Sequence, residues 1–383
     1  MKKLSDANLE GKKVIVRVDY NVPLGDDGKV LNDSRIRATL PTIQFMRDKS
    51  AKIILVTHIG RPDGKVVERY RTKNVAFALQ YVLRKEVKYS PLPIEQVKKE
   101  VDKLKPGEIL MLENIRFYPE EEKNDRTFAK KLASLGDVFV NDAFAVCHRA
   151  NASVSAITEF LPSYPGLLLE KEISALSTAL DSPKHPFVVV IGGSKLETKI
   201  PVIENLAKKA DKVLLGGAMI FPFYKSMGLE IGKSLVDDNE LPLAKKLHES
   251  YHEKIVLPKD IVLDDNNVVS FEAIPKDRAG LDIGKRTISS FSGFLRSAKT
   301  VVWNGPMGKF EDKLFAKGTY EIAKAIADST GFTVVGGGET VTAIEDLNLQ
   351  DNFSHISTGG GATLEFLEGK KLPGIVALET AKL

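Results

Sequence analysis

In the first half of the chain, side chains able to do chemistry gather just after successive apolar runs: Arg17, Asp19 and Asn21; His58 and Arg61; Glu113, Asn114 and Arg116; Asn141, Asp142, His148 and Arg149. Arg35 lies in the loop before the first helical stretch. Guanidinium forks match the oxygens of phosphate and carboxylate, so several of them converging with imidazoles would bind a small molecule bearing more than one anionic group. A single arginine in a loop is more often a solvated charge or a surface ion pair. The recurrence after one apolar run after another raises the joint reading above that.

The second half puts glycine in the same positions: Gly192 and Gly193, Gly216 and Gly217, Gly336 to Gly338, Gly359 to Gly361. One glycine pair is usually a turn. Four such clusters imply that backbone approaches something closely, and an apolar run, three glycines and a helix from Glu339 would present free N–H groups to phosphate. Lys195 and Lys199 are spaced to share one helix face, offering two cations to phosphate oxygens. Standard signatures fail: no Gly-x-Gly-x-x-Gly occurs, and the stretch 228–234 has one residue too few between its glycines for a phosphate loop. Cys147 beside His148 reads as a buried inert thiol rather than a nucleophile, Trp303 as core, and six scattered histidines give no metal site.

The elements that must hold these residues are short apolar runs at 14–18, 53–57, 109–112, 138–140, 187–191, 213–215, 300–303 and 332–335. They are too uniformly apolar for half-exposed strands and read as parallel strands buried on both faces. Between them, 38–49, 74–85, 199–209, 313–327 and 340–346 carry apolar residues at helical spacing. The class is therefore α/β, with ligands expected outside the carboxyl ends of the strands. A helical run at 167–180 flanked by Pro162, Pro165, Pro183 and Pro186 divides the chain into two doubly wound parallel-sheet lobes joined by a hinge helix. A single eight-stranded barrel is the competing architecture, but it would not need that proline-flanked helix. The expected boundaries are 1–165, 166–182 and 183–370, with 371–383 returning to the first lobe.

Composition agrees with an ordinary globular protein: 383 residues, 43% hydrophobic and 28% charged, which excludes disorder and fibres. No apolar run approaches the ~20 residues that span a bilayer. The first residues lack an apolar stretch or cleavage site, and the one cysteine excludes an internal disulfide, so a cytoplasmic protein is expected. A net charge of +4 is too balanced to suggest nucleic acid.

The motifs RVDYNVP (17–23), THIGRPDG (57–64), LENIRF (112–117), VNDAF (140–144) with His148 and Arg149, GGSK (192–195) with Lys199, WNGP (303–306) with Gly308, and STGGGA (357–362) together resemble phosphoglycerate kinases, in that family's order and along the whole chain. The resemblance implies a monomeric, two-lobed glycolytic hinge enzyme that moves phosphate between 1,3-bisphosphoglycerate and ADP, giving 3-phosphoglycerate and ATP. It assigns the phosphoglycerate to Asp19, Asn21, Arg35, His58, Arg61, Arg116 and Arg149. The nucleotide falls to Gly193, Lys195, Lys199, Gly216, Gly217, Asn304, Glu311, Gly337, Gly338, Glu339 and Thr340, with Arg35, Lys195 and Gly360 as the catalytic set. Mg2+ is implied with the nucleotide, facing Glu339, where the family usually has aspartate and this chain sets the carboxylate one methylene further out. Two rivals use the same residues: a non-catalytic, nucleotide-gated two-lobe binder, and a kinase for another small carboxylate.

Overall fold

The computed structural model describes residues 2–381, and its contacts divide the chain into two units, one comprising the residues up to Ile173 and those from Lys371 onward, the other Ser174–Lys370. The division falls within the helix Leu167–Asp181. Lys382 and Leu383, the end of the expected returning tail 371–383, lie outside the described residues.

The first unit is built on a wholly parallel sheet of β1 (Lys13–Arg17), β2 (Lys52–Val56), β3 (Lys88–Tyr89), β4 (Ile109–Met111), β5 (Val138–Asn141) and β6 (Ser163–Pro165), in the order β3-β4-β2-β1-β5-β6. Strand β1 reads KVIVR and is buried from its second residue on, as a central strand covered on both faces must be. Around it Val14, Val16, Ile53, Leu55, Met111 and Val140 pack with the helix residues Ile43, Met46, Val75 and Leu79.

The second unit has another six-stranded parallel sheet, ordered β15-β14-β13-β7-β8-β9: β7 (Phe187–Ile191), β8 (Lys212–Leu215), β9 (Ile255–Val256), β13 (Thr300–Asn304), β14 (Phe332–Gly336) and β15 (His355–Ile356). Beside it stands a three-stranded antiparallel sheet of β10 (Asp260–Leu263), β11 (Val268–Ser270) and β12 (Gly280–Ile283). Trp303 is fully buried in the core with Val190, Leu214 and Val335. The open sheets replace the competing barrel.

Two expected helices begin later than their stretches. The stretch 38–49 forms Leu40–Asp48, because Pro41 is accommodated only in a helix's first turn, and a separate short helix, Ser34–Ala38, precedes it, so Arg35 stands on a helix and not in the expected loop. The stretch 313–327 begins as an isolated turn, Lys313–Phe315, before the helix Lys317–Ala327.

Candidate active site

Strand register gathers the polar residues of the first unit. Arg17 pairs with Val56 and with Asn141, and Leu55 with Met111, so the loops that follow β1, β2, β4 and β5 leave from one edge. There Asp19 takes a short ion pair from Arg35 and accepts from the Asn21 amide at 3.2 Å, while the Asn21 side chain accepts from the Gly60 N–H at 2.9 Å. Arg116, nearly buried, donates to the Gly60 carbonyl at 2.8 Å and pairs with Glu122 at 3.3 Å. Arg149 donates to His148 Nε2 at 3.2 Å.

At the centre His58 is 3% exposed, with Asp19 Oδ1 3.7 Å from its Nδ1. Burial, reinforced by the positive charges of Arg17, Arg116, Arg149 and Arg35, holds its imidazole well below the usual histidine range, so it is neutral at physiological pH. Arg35, Arg116 and Arg149 are thus brought to one locality with His58. Arg61 follows Gly60, whose N–H and carbonyl bond Asn21 and Arg116; its own side chain is exposed and makes no hydrogen bond or ion pair among the described residues.

Behind this surface lies a buried set in which Arg17, expected in the basic cluster, is joined by Ser153 and Glu121, which sequence reasoning missed. Arg17, 1% exposed, donates from Nε to Ser153 Oγ at 2.9 Å and from Nη2 to His58 Nδ1 at 3.2 Å. Ser153 in turn donates from Oγ and N to the two carboxylate oxygens of Glu121, at 2.6 and 2.8 Å. The signal was an arginine inside the β1 run itself, which points inward rather than out.

In the second unit Asn304 pairs with Ile191 on one side and Gly336 on the other, and Ile191 with Leu215. The glycine clusters after those strands therefore meet at one edge. Gly192 is pressed so close to Pro306 that a Cβ would lie 1.9 Å from its carbonyl oxygen, and Gly217, at φ +71°, would set a Cβ 2.4 Å from the Gly193 carbonyl oxygen. Backbone alone fits here. The loops surround a cavity of about 360 Å³ lined by Gly193, Lys195, Lys199, Asn304, Gly337, Gly338, Glu339, Thr340 and Gly360.

Lys199 Nζ reaches Asn304 Oδ1 at 2.6 Å; burial lowers its pKa, with Glu339 and Glu368 opposing. Asn304 Nδ2 is sealed from solvent with no partner, a donor left open beside the cavity. Thr340 Oγ1 accepts from the Gly305 N–H at 2.8 Å, fixing the start of the helix Gly338–Asp346 whose first amides face the cavity. Lys195 is exposed at the rim.

A second cavity of about 360 Å³ shares Gly193, Ser194, Pro306 and Glu339 with the first and continues as an apolar slot between Ile220, Phe221, Leu235, Ile261, Leu281 and Met307, with Gly217 and Glu311 on its wall. Gly216 sits beneath, its Cα facing Met307. Asp282, at the slot's edge, accepts from the Gly318 and Ile283 amides, and burial raises its carboxyl to about 7. A polar cavity leading into an apolar slot accommodates a polyphosphate carrying a flat aromatic base.

Elsewhere the plainer readings of the thiol and of the false phosphate loop agree with the structure. Cys147 is buried with its thiol pushed up to about 12. In the false phosphate loop, Gly232 lies against the carbonyls of Pro275 and Arg278. A larger open basin of about 1070 Å³ beside the helix Lys73–Leu83, lined by Phe77, Tyr81 and Arg84, holds none of the expected site residues. Among the described residues no group of three or more His, Cys, Asp or Glu could by itself hold a metal, and no helix is long and apolar enough to cross a membrane.

Comparison with known proteins agrees with this architecture. The family described as Phosphoglycerate kinase matches residues 4–370. Phosphoglycerate kinase of Prochlorococcus marinus is 49% identical, over 98% of this chain and 97% of the relative; that of Coprothermobacter proteolyticus is 48% identical, over 99% and 98%. The solved structure of phosphoglycerate kinase from Coxiella burnetii superposes with a TM-score of 0.92 at 39% identity over the whole of both chains, and that from Pyrococcus horikoshii with 0.88 at 35% identity over 99% and 98%. With open parallel sheets, a basic cluster on one edge and a glycine cradle on another, and likeness at this level along its full length, the chain belongs to the phosphoglycerate kinase family.

Proposed function

We propose that this chain divides its family's reaction between its two units, the acid bound by residues 1–165 and the nucleotide by residues 183–370, with 166–182 as the connecting helix. As a family member it is a phosphotransferase with a carboxyl acceptor, moving a phosphoryl group between 1,3-bisphosphoglycerate and ADP to give 3-phosphoglycerate and ATP. The observation that carries the division is a contrast in anion chemistry. One edge offers arginines with a neutral imidazole, and the other offers backbone amides, Lys199 and an unpartnered Asn304 Nδ2.

In this reading Arg116 and Arg149, with Arg61 from the neighbouring loop, hold the phosphate of the acid, while Asp19, Asn21, His58 and Arg35 orient its carboxylate and hydroxyl. Lys199, Asn304, Thr340 and the amides of Gly337 and Gly338 hold the nucleotide phosphates, and the apolar slot takes the base between Gly217 and Glu311. The attacking group is a carboxylate, ionised at neutral pH, so no general base is needed. Catalysis is positioning plus charge. Arg35, Lys195 and the Gly360 loop amide act on the transferring group, whose charge spreads over three oxygens as it moves. Transfer demands a state in which the two substrates meet with water excluded, since water would hydrolyse the acyl phosphate.

Mg2+ is commonly held by one or two carboxylates plus substrate phosphates rather than by a cage. Glu339, on the wall of both cavities, fits that pattern, and the ion would supply neutralisation of phosphate charge. The same reading takes the enzyme as cytoplasmic and as a monomer, one chain carrying both sets of residues without a second copy. A coupled assay with 3-phosphoglycerate and ATP tests it: turnover is expected. Thermal stabilisation by both ligands without turnover would indicate a binder, and turnover only with a different acid would move the substrate.

A further inference from the structure

The buried set behind the basic cluster forms a chain of hydrogen bonds with one direction. A guanidinium has donors only, so at 3.2 Å from Arg17 Nη2 the Nδ1 of His58 must be the acceptor. In a neutral imidazole the proton then sits on Nε2. That atom has no hydrogen-bond partner among the described residues and is not among the polar atoms sealed from solvent. Arg17 is itself held. Its Nη1 donates to the Val18 carbonyl, its Nε donates to Ser153, and Ser153 passes its own hydroxyl proton toward Glu121, the strongest opposite charge acting on Arg17. The charges that act most strongly on the ring, those of Arg17, Arg116, Arg149 and Arg35, are all positive, and the Asp19 oxygen paired with it lies 3.7 Å from Nδ1, beyond hydrogen-bond reach.

We propose that Glu121, Ser153 and Arg17 are positioning residues that lock His58 as the neutral Nε2–H tautomer, so that it meets the acid as an oriented hydrogen-bond donor and not as a further cation. The inference rests on the functional reading above, and it assigns work to residues that touch no substrate. A cation would favour any anion in the basic cluster. A fixed neutral donor favours an acid with an acceptor at one position, and its contribution does not change with pH across the neutral range.

The test is nitrogen-15 spectroscopy of histidine-labelled full-length protein, with His58→Gln identifying the signal. The expected spectrum is Nε2–H with a bare Nδ1, unchanged from about pH 5.5 to 8. An Nδ1–H pattern, or protonation with a midpoint near the ordinary ~6.5, would overturn the proposal. Ser153→Ala should then mix the tautomers and raise KM for 3-phosphoglycerate roughly five- to tenfold with kcat within about twofold, the loss of one neutral hydrogen bond, and Ser153→Thr should restore both. An unchanged spectrum and KM in Ser153→Ala, or an equal defect in Ser153→Thr, would also overturn it. Absence of turnover in the wild-type chain would count against the functional reading alone, because the spectrum reports the tautomer without catalysis.

Discussion

Lys199 and Asn304 are joined at 2.6 Å from the start of one helix to the end of the strand β13, and the bond spends the amide's oxygen while leaving its Nδ2 buried and unpartnered. An Asn304→Asp chain keeps the acceptor for Lys199, as an ion pair, but replaces the open donor by an anionic oxygen. We expect a melting temperature equal to or above that of the wild type and a KM for ATP raised about tenfold or more, because the lost donor is worth ~1–3 kcal/mol and the new charge repels phosphate. Steady-state kinetics beside a thermal melt check this. Unchanged KM would mean that Nδ2 does not face the nucleotide.

Lys195 is exposed at the cavity rim and has no ion-pair partner among the described residues, so its charge is available to the transferring group. Lys195→Ala should lower kcat by roughly 10²-fold or more with little change in either KM, the pattern of a contact made only in the transition state. A raised KM with intact kcat would make it a ground-state ligand instead.

Gly217→Ala puts a Cβ 2.4 Å from the Gly193 carbonyl oxygen at φ +71°, where neither backbone can yield cheaply. The expected cost is about 2 kcal/mol or more, read as a lower melting temperature, together with weaker nucleotide binding as the two glycine loops separate. A wild-type melt would show that the loops are more compliant than their packing implies.

Asp142 Oδ1 accepts from the Leu168 and Leu169 amides at 2.9 and 3.2 Å, at the start of the helix Leu167–Asp181, and burial raises its carboxyl to about 7. A carboxyl whose folded value lies above its unfolded ~3.9 stabilises the native chain fully below the unfolded value, and that contribution is lost as pH rises to about 7. Asp142→Asn keeps the acceptor and cannot ionise. Its stability relative to wild type should therefore grow between about pH 4 and 7 by a few kcal/mol and then level off, measured by denaturant unfolding at several pH values. Parallel curves would refute the shift.

Long buried strands were legible in the sequence because continuous apolar runs such as FVVVI at β7 have no other stable location. Strands β3, β9 and β15, two residues each, carry no period at all, and the proline of β6 is tolerated because that strand lies at a sheet edge. The antiparallel sheet was missed for a different reason: Val268 and Val269 follow the turn residues Asn266 and Asn267, and β12 opens with glycine. That omission cost the apolar slot, since Ile261 and Leu281 come from this sheet. Residues at strand ends could be found by position, whereas Ser153 reaches Arg17 from a sequence-distant turn, and Glu121 supports Ser153 from the short helix Pro119–Glu122, with nothing local to mark either.

The helix Pro373–Thr380 belongs to the first unit, where the Gly374 amide donates to the Cys147 carbonyl at 2.9 Å and its Cα rests on Val154 and the cysteine. Residues 174–370 are therefore an insertion within the unit that begins the chain. On the ribosome the first-made unit must wait, with part of its surface uncovered, until the inserted unit has been synthesised. The inserted unit emerges whole and can fold at once. Order of synthesis and order of completion are thus reversed, and a chain that stops just after Lys370 would carry a finished nucleotide cradle and a first unit lacking its last helix.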